Sequence, residues 1–127
     1  VEDIAKKVHN LNSDTLKIML TNTAPSSSNA VKADITEISA GNGYTAGGNT
    51  AAFSSGAQTS GTYKLVLSSP TAWTASGGGF TFRYAVLTDS TTSTNVGYWD
   101  YGSSQTVASG ETVTVSLDGT NGVFQAT

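Results

Sequence analysis

The chain has no cysteine, one histidine and two prolines, and only 12% of its 127 residues are charged. Without cysteine there is neither a disulfide framework nor a thiolate metal site, and the redox compartment leaves no trace. A single histidine, His9, cannot anchor a zinc site, which takes three or four His, Cys or carboxylate ligands. Six basic residues stand against nine acidic ones, and after the first dozen positions the cations are Lys17, Lys32, Lys64 and Arg83. No dense positive stripe can form, so nucleic acid is not an expected partner. No apolar run reaches the roughly 18–20 residues of a membrane span, and the start VEDIAKKVHNL has no signal-peptide apolar centre. A membrane is therefore not expected either. The chain opens on Val1 rather than Met, and a short preceding leader is expected.

What the chain has in abundance is 17 serines, 20 threonines and 14 glycines, 51 of 127 residues, over a 37% hydrophobic fraction. Hydroxylated and turn-forming residues on that apolar background predict a β-rich fold with an uncharged surface rather than a disordered chain. The length suits one domain that buries roughly two thirds of its unfolded surface.

Ile4, Val8 and Leu11 recur at i, i+4 and i+7, with Glu2 and Asp3 ahead of Lys6 and Lys7, and predict an amphipathic helix over residues 2–12 with charges matched to its dipole. From Ser13 the period drops to two. TLKIMLTN, TYKLVLSS, GFTFRYAVL (Phe80, Phe82, Tyr84 and Val86 on one side) and ETVTVSLD read as the main strands. TNVGYWDYG and GVFQAT add two more, with short candidates at 33–38, 44–53, 71–75 and 104–107. Turn clusters separate them, including SSGAQTSG, SGGG and DGTNG. The last predicts a hairpin between Leu117 and Val123, and SGGG a connection or bulge that lets Trp73 and Phe80 reach the same core. The expected fold is mainly β: an antiparallel β-sandwich, jelly-roll-like, over 13–127, preceded by the helix or arm at 1–12.

Few residues offer chemistry. His9 has no G-x-S-x-G elbow and no orienting acid nearby, and reads as a surface or helix-end histidine. Among Asp34, Glu37, Asp89, Asp100, Glu111 and Asp118, only Asp100 in GYWDYG is flanked on both sides by aromatics. Such a wall could raise a carboxyl toward general-acid duty, but no second acid shares the strand, and an exposed aspartate on a strand of alternating aromatics is the plainer reading. Calcium would need six to eight oxygens where DGTNG and SAGNGYTAGGN supply one acid between them. SAGNGYTAGGNT, residues 39–50, has no lysine and no helix after it, so it is no nucleotide cradle. No catalytic, cofactor or metal residue is assigned. The stretch reads instead as a glycine turn at 41–43 leading into an edge strand, with Tyr44, Gly47 and Gly48 open to a neighbouring subunit.

The runs VEDIAKKVHNLNSDTLKIMLTNTAP, ADITEISAGNGYTAGGNT, FRYAVLTDSTT, VGYWDYGSS and GETVTVSLDGTNGVFQ resemble a family of small structural proteins of tailed bacteriophages, across nearly the whole chain. The resemblance implies a non-enzymatic virion component, of a size similar to capsid decoration or cement proteins, with no catalytic motif to carry over. It also implies the major capsid protein and further copies of itself as partners, a trimer being favoured, and assembly in the host cytoplasm onto the capsid surface. Ile4, Val8, Leu11 and the loops near 24–32 and 39–50 are then the expected interfaces. The competing expectation is a tail or fibre module whose Tyr98, Trp99 and Tyr101 stack on host sugars.

Overall fold

The computed structural model describes residues 2–127. A helix α1 (Glu2–Ala5) precedes β1 (Leu16–Thr21), β2 (Asn49–Thr50), β3 (Phe53–Thr59), β4 (Thr62–Leu67), β5 (Trp73–Thr74), β6 (Phe80–Asp89), β7 (Thr94–Val107), β8 (Thr112–Val113) and β9 (Phe124–Ala126). The strands form three antiparallel sheets, ordered β2-β1-β6-β7, β3-β4-β9 and β5-β8. The fold is mainly β with one short N-terminal helix, as the composition and period predict.

Alternation explains how the sheets meet. Leu16, Ile18 and Leu20 of β1 turn one face inward, Leu65 and Leu67 of β4 turn theirs, and Trp73, Phe82, Leu87 and Val107 complete one buried cluster that all three sheets share. Each fully buried leucine or isoleucine in it stabilises the fold by about 1.5–3 kcal/mol, which is why the sheets gather around it. The SGGG turn closes with the Gly79 N–H donating to the Ser76 carbonyl at 2.9 Å, and it delivers Trp73 and Phe80 to the same aromatic partner, Tyr44.

One expected face is split. The β6–β7 register shifts between Phe82 and Tyr84, and this bulge reverses the parity of β6. Phe82, Ala85 and Leu87 join the shared core, whereas Val86 pairs with Met19 of β1 on the other face. That second face is also buried. Val31 bridges Thr94 at the outer side of β7, and Glu37 bridges Thr21 at the far side of β1, so residues 31–37 cross the sheet diagonally. The crossing contains a 3₁₀ turn, Lys32–Asp34, where a short strand was expected. Asn95 ties it down by donating from Nδ2 to the carbonyls of Asn29 and Val31.

Other expectations change for similar reasons. The helix predicted over 2–12 ends at Ala5; Ile4 is exposed, Val8 is half-buried, and Leu11 enters the core. A narrow apolar face on so short a helix cannot hold it against docking of Leu11 in the sheet core. SSGAQTSG, read as a turn, supplies most of β3. Its hydroxyls face water, and the real turn is Ser60–Gly61, whose φ values of 50° and 85° are those of a two-residue hairpin. DGTNG is a turn but not a hairpin. Asp118 Oδ1 accepts the N–H groups of Thr120 and Asn121, yet β8 pairs with β5 and β9 with β4. ETVTVSLD forms a ladder only at Thr112–Val113. Val113, Val115 and Leu117 still pack inward, so period two here records burial rather than pairing.

Candidate functional site

The glycine-rich stretch 39–50 resolves into an internal brace. Gly41 and Tyr44 exchange N–H···O bonds of 2.9 and 3.0 Å, which turns the chain back toward β1. Tyr44 is 3% exposed and stacks on Trp73, with centroids 6.3 Å apart and planes 25° from parallel. β2 covers the edge of β1 only opposite Lys17 and Ile18. Beyond it the Leu20 N–H donates to Tyr44 Oη at 3.1 Å, and the Leu20 carbonyl accepts from the Ile38 N–H. The phenol thus stands where a strand partner ends. Its own proton goes to Glu37 Oε1, which also accepts the Gly47 N–H. Burial, reinforced by the Glu37 bond, pushes the phenol far above its ordinary pKa, so it stays protonated.

Gly48 has φ +71°, and a Cβ there would lie 1.8 Å from the Ile18 carbonyl oxygen. The close backbone approach expected of Gly48 is real, but its partner is β1 of the same chain. Tyr44, Gly47 and Gly48 are all buried and are not a surface for a neighbour.

A wider concave feature than the hollow beside residues 38–42 lies where β7 runs past β6 and faces residues 111–118. It is an open groove of about 880 Å³ with Phe82, Ala85 and Val107 in its lining, beside Trp99 and Tyr101. Of the three aromatics expected to act together, two do. Trp99 pairs with Ala85, which faces the core, and Tyr101 sets its ring edge-on to Phe82 at 6.3 Å and 69°, so both stand on the groove side. Tyr98 pairs with Val86 and projects from the opposite face. Successive strand residues cannot share a face.

Asp100 pairs with Tyr84 on the other face and borders the groove at its rim, in a bidentate pair with Arg83: Nε donates to Oδ1 at 2.8 Å and Nη2 to Oδ2 at 3.0 Å. Arg83, and after it the Gly102 N–H, hold the Asp100 carboxyl below the usual range. The aromatic wall does not raise it, and Asp100 is exposed, as the plainer reading of the strand had it. Glu111 and Asp118 lie along the same groove; the N–H bonds and side chain of Asn121, with the Thr120 N–H, keep Asp118 low as well. Among the described residues no three His or acidic side chains gather in a metal-binding group.

His9 is not a surface histidine. Its side chain is 3% exposed and that of Asp89 is fully buried, with Nδ1 and Oδ2 2.9 Å apart. Thr94 Oγ1 lies 3.5 Å from the same nitrogen. The orienting acid absent from the neighbourhood in sequence is brought by the end of β6, from 80 residues away. A nucleophile triad needs acid and hydroxyl on opposite ring nitrogens, whereas both partners here meet Nδ1. The pair anchors the N-terminal segment to the β6–β7 turn, where Asp89 Oδ1 also accepts the N–H groups of Thr91 and Thr92. Desolvation alone would raise Asp89; the His9 contact and the Thr92 and Thr91 N–H groups outweigh it, and the net shift is downward.

No protein-family model matches the chain, and neither does any curated protein or solved structure. Among the described residues no helix is long and apolar enough to cross a membrane.

Proposed function

We propose that the chain is a non-enzymatic structural component of a tailed-bacteriophage virion, a head decoration protein that binds the major capsid protein and stabilises the capsid. The observation that carries this reading is the outer edge of β7. From Val96 to Thr106 it has no strand partner among the described residues, and Tyr98 stands exposed along it on the face away from the groove. An unpaired edge of that length is a template for pairing with another chain, and isolated proteins ordinarily block it. In a closed array of identical copies, with a trimer on a capsid three-fold axis as the simplest case, each such contact is repeated and its weak affinity multiplied. The phage-protein resemblance and the hydroxylated, weakly charged surface are consistent with a part that works by being covered.

Tyr98→Lys tests the edge, because a lysine on an edge strand is the ordinary device against pairing. The variant melts like the parent protein, while purified virions carry fewer copies by quantitative mass spectrometry. Unchanged incorporation would remove β7 from the attachment surface, and labelled protein seen on the tail instead of the head would overturn the capsid placement. The second reading, a tail or fibre module that contacts the host surface, is favoured by the groove that Trp99 and Tyr101 share.

A further inference from the structure

We propose that the groove between β7 and residues 111–118 is a binding site for a neutral oligosaccharide, with Trp99 and Tyr101 as its stacking platform. This deepens the host-contact reading by naming the ligand class, and it holds for a chain on the head or on the tail.

Trp99 is 40% and Tyr101 68% exposed, although Phe82, beneath them, is 4% exposed. Two large rings left in water inside a concave site lose hydrophobic free energy that the C–H face of a pyranose restores. They are two residues apart on one face, about 6.6 Å along the strand, a spacing on the scale of one sugar ring. The edge-on contact of Tyr101 with Phe82 holds that ring in place before any ligand arrives, which lowers the ordering cost of binding.

The polar groups suit hydroxyls. Arg83 and Asp100 hold each other in a planar, fork-to-fork pair that borders the groove from the Tyr84 side, so its outer donors and acceptors are open to hydroxyl groups only at the rim. Gln105, Thr114 and Ser116 add amide and hydroxyl positions to the lining. Charge decides between neutral and acidic sugars. Arg83 is cancelled by Asp100, and Lys64 acts on Asp118, which leaves Glu111 as the uncompensated carboxylate along the groove, and it disfavours uronates, sialates and phosphates. The volume of about 880 Å³ lies within the range of small-ligand sites and accommodates a few sugar rings. A partner's β-strand would pair along the β7 backbone edge instead of lying over the ring faces, and would leave Trp99 in water.

The two tryptophans make the test specific, since Trp73 is 2% exposed in the core and Trp99 is in the groove. The full chain is titrated with neutral tetrasaccharides of glucose, galactose and N-acetylglucosamine, and with an oligogalacturonate, while tryptophan fluorescence is followed. At least one neutral oligosaccharide is expected to give a saturable shift, unaffected by salt, that weakens about tenfold in Tyr101→Ala on losing one ring. Tyr101→Phe, which keeps the ring, retains binding. Four results would overturn the proposal: no saturable response to any neutral oligosaccharide up to about 10 mM, a response to the oligogalacturonate alone, undiminished binding in Tyr101→Ala, or equal loss in Tyr101→Phe. Because binding is read on the isolated protein, its failure is separate from any failure of the virion placement.

Discussion

Tyr44→Phe removes one oxygen atom from the core and leaves the ring stacked on Trp73, so it isolates what the phenol does at the edge of β1. Two hydrogen bonds disappear. The Leu20 N–H, on a residue with no exposed surface, loses its acceptor; an orphaned buried donor costs about 1–3 kcal/mol. The Glu37 carboxylate loses a charge-assisted bond, but Glu37 is only half-buried and keeps the Gly47 N–H, so the lower end of the usual range applies, about 1.5 kcal/mol. The total is about 2.5–4.5 kcal/mol out of roughly 6–19 kcal/mol for a chain of this length. At about 4 °C per kcal/mol, the melting temperature of the isolated domain falls by roughly 10–18 °C. The alkaline limb changes too. Since folding raises the pKa of Tyr44, its contribution is complete below the ordinary phenol value and is lost as pH rises beyond it. The parent protein therefore loses stability above about pH 10, and Tyr44→Phe flattens that decline. Circular-dichroism melts at pH 7 and across pH 9–11 measure both effects. A melting temperature within about 2 °C of the parent would refute the edge-brace role. Tyr44→Ala adds an aromatic-sized cavity at a further 3–5 kcal/mol or so, so a loss of virion attachment in that variant would report unfolding rather than an interface.

Asp89→Asn keeps an oxygen that accepts the Thr91 and Thr92 N–H groups but removes the charge and puts an amide in place of the oxygen that meets His9 Nδ1, and is expected to cost about 1–3 kcal/mol in urea unfolding. Because folding lowers the pKa of Asp89, its contribution is present above the ordinary carboxylate range and lost as pH falls below it; the variant's acid unfolding curve should lack that limb, and identical acid limbs would disprove the assignment. Gly48→Ala drives a methyl into the Ile18 carbonyl and yields little folded protein, whereas Gly41→Ala, with φ +114° but open space around it, costs about 1–3 kcal/mol of backbone strain alone. Equal melting temperatures for the two glycine variants would contradict the packing of the 39–50 stretch on β1.

Much of the strand content was legible because period two is a local property. Leu16, Ile18 and Leu20, or Leu65 and Leu67, announce a buried face through their immediate neighbours. β3 was hidden because Ser and Gly in FSSGAQT serve a mostly exposed strand as readily as a turn. The groove was half legible: Trp99 and Tyr101 drew attention as aromatics, but the Arg83–Asp100 pair and the opposing segment 111–118 come from separate parts of the chain.

The amino-acid sequence by itself determined the β-rich class, the inward faces of β1 and β4, the turn at DGTNG and the exclusion of thiolate chemistry, since each rests on residue type and near-neighbour spacing. Tertiary structure alone decided that Tyr44 lies inside, braced to Leu20 across 24 positions, and that His9 meets Asp89. It also decided that the β6 bulge separates Phe82 from Val86, and that Tyr98 parts company with Trp99. These depend on which strand pairs with which and in what register, and the cost of burying an unpartnered polar group selects that pairing only when distant segments come together.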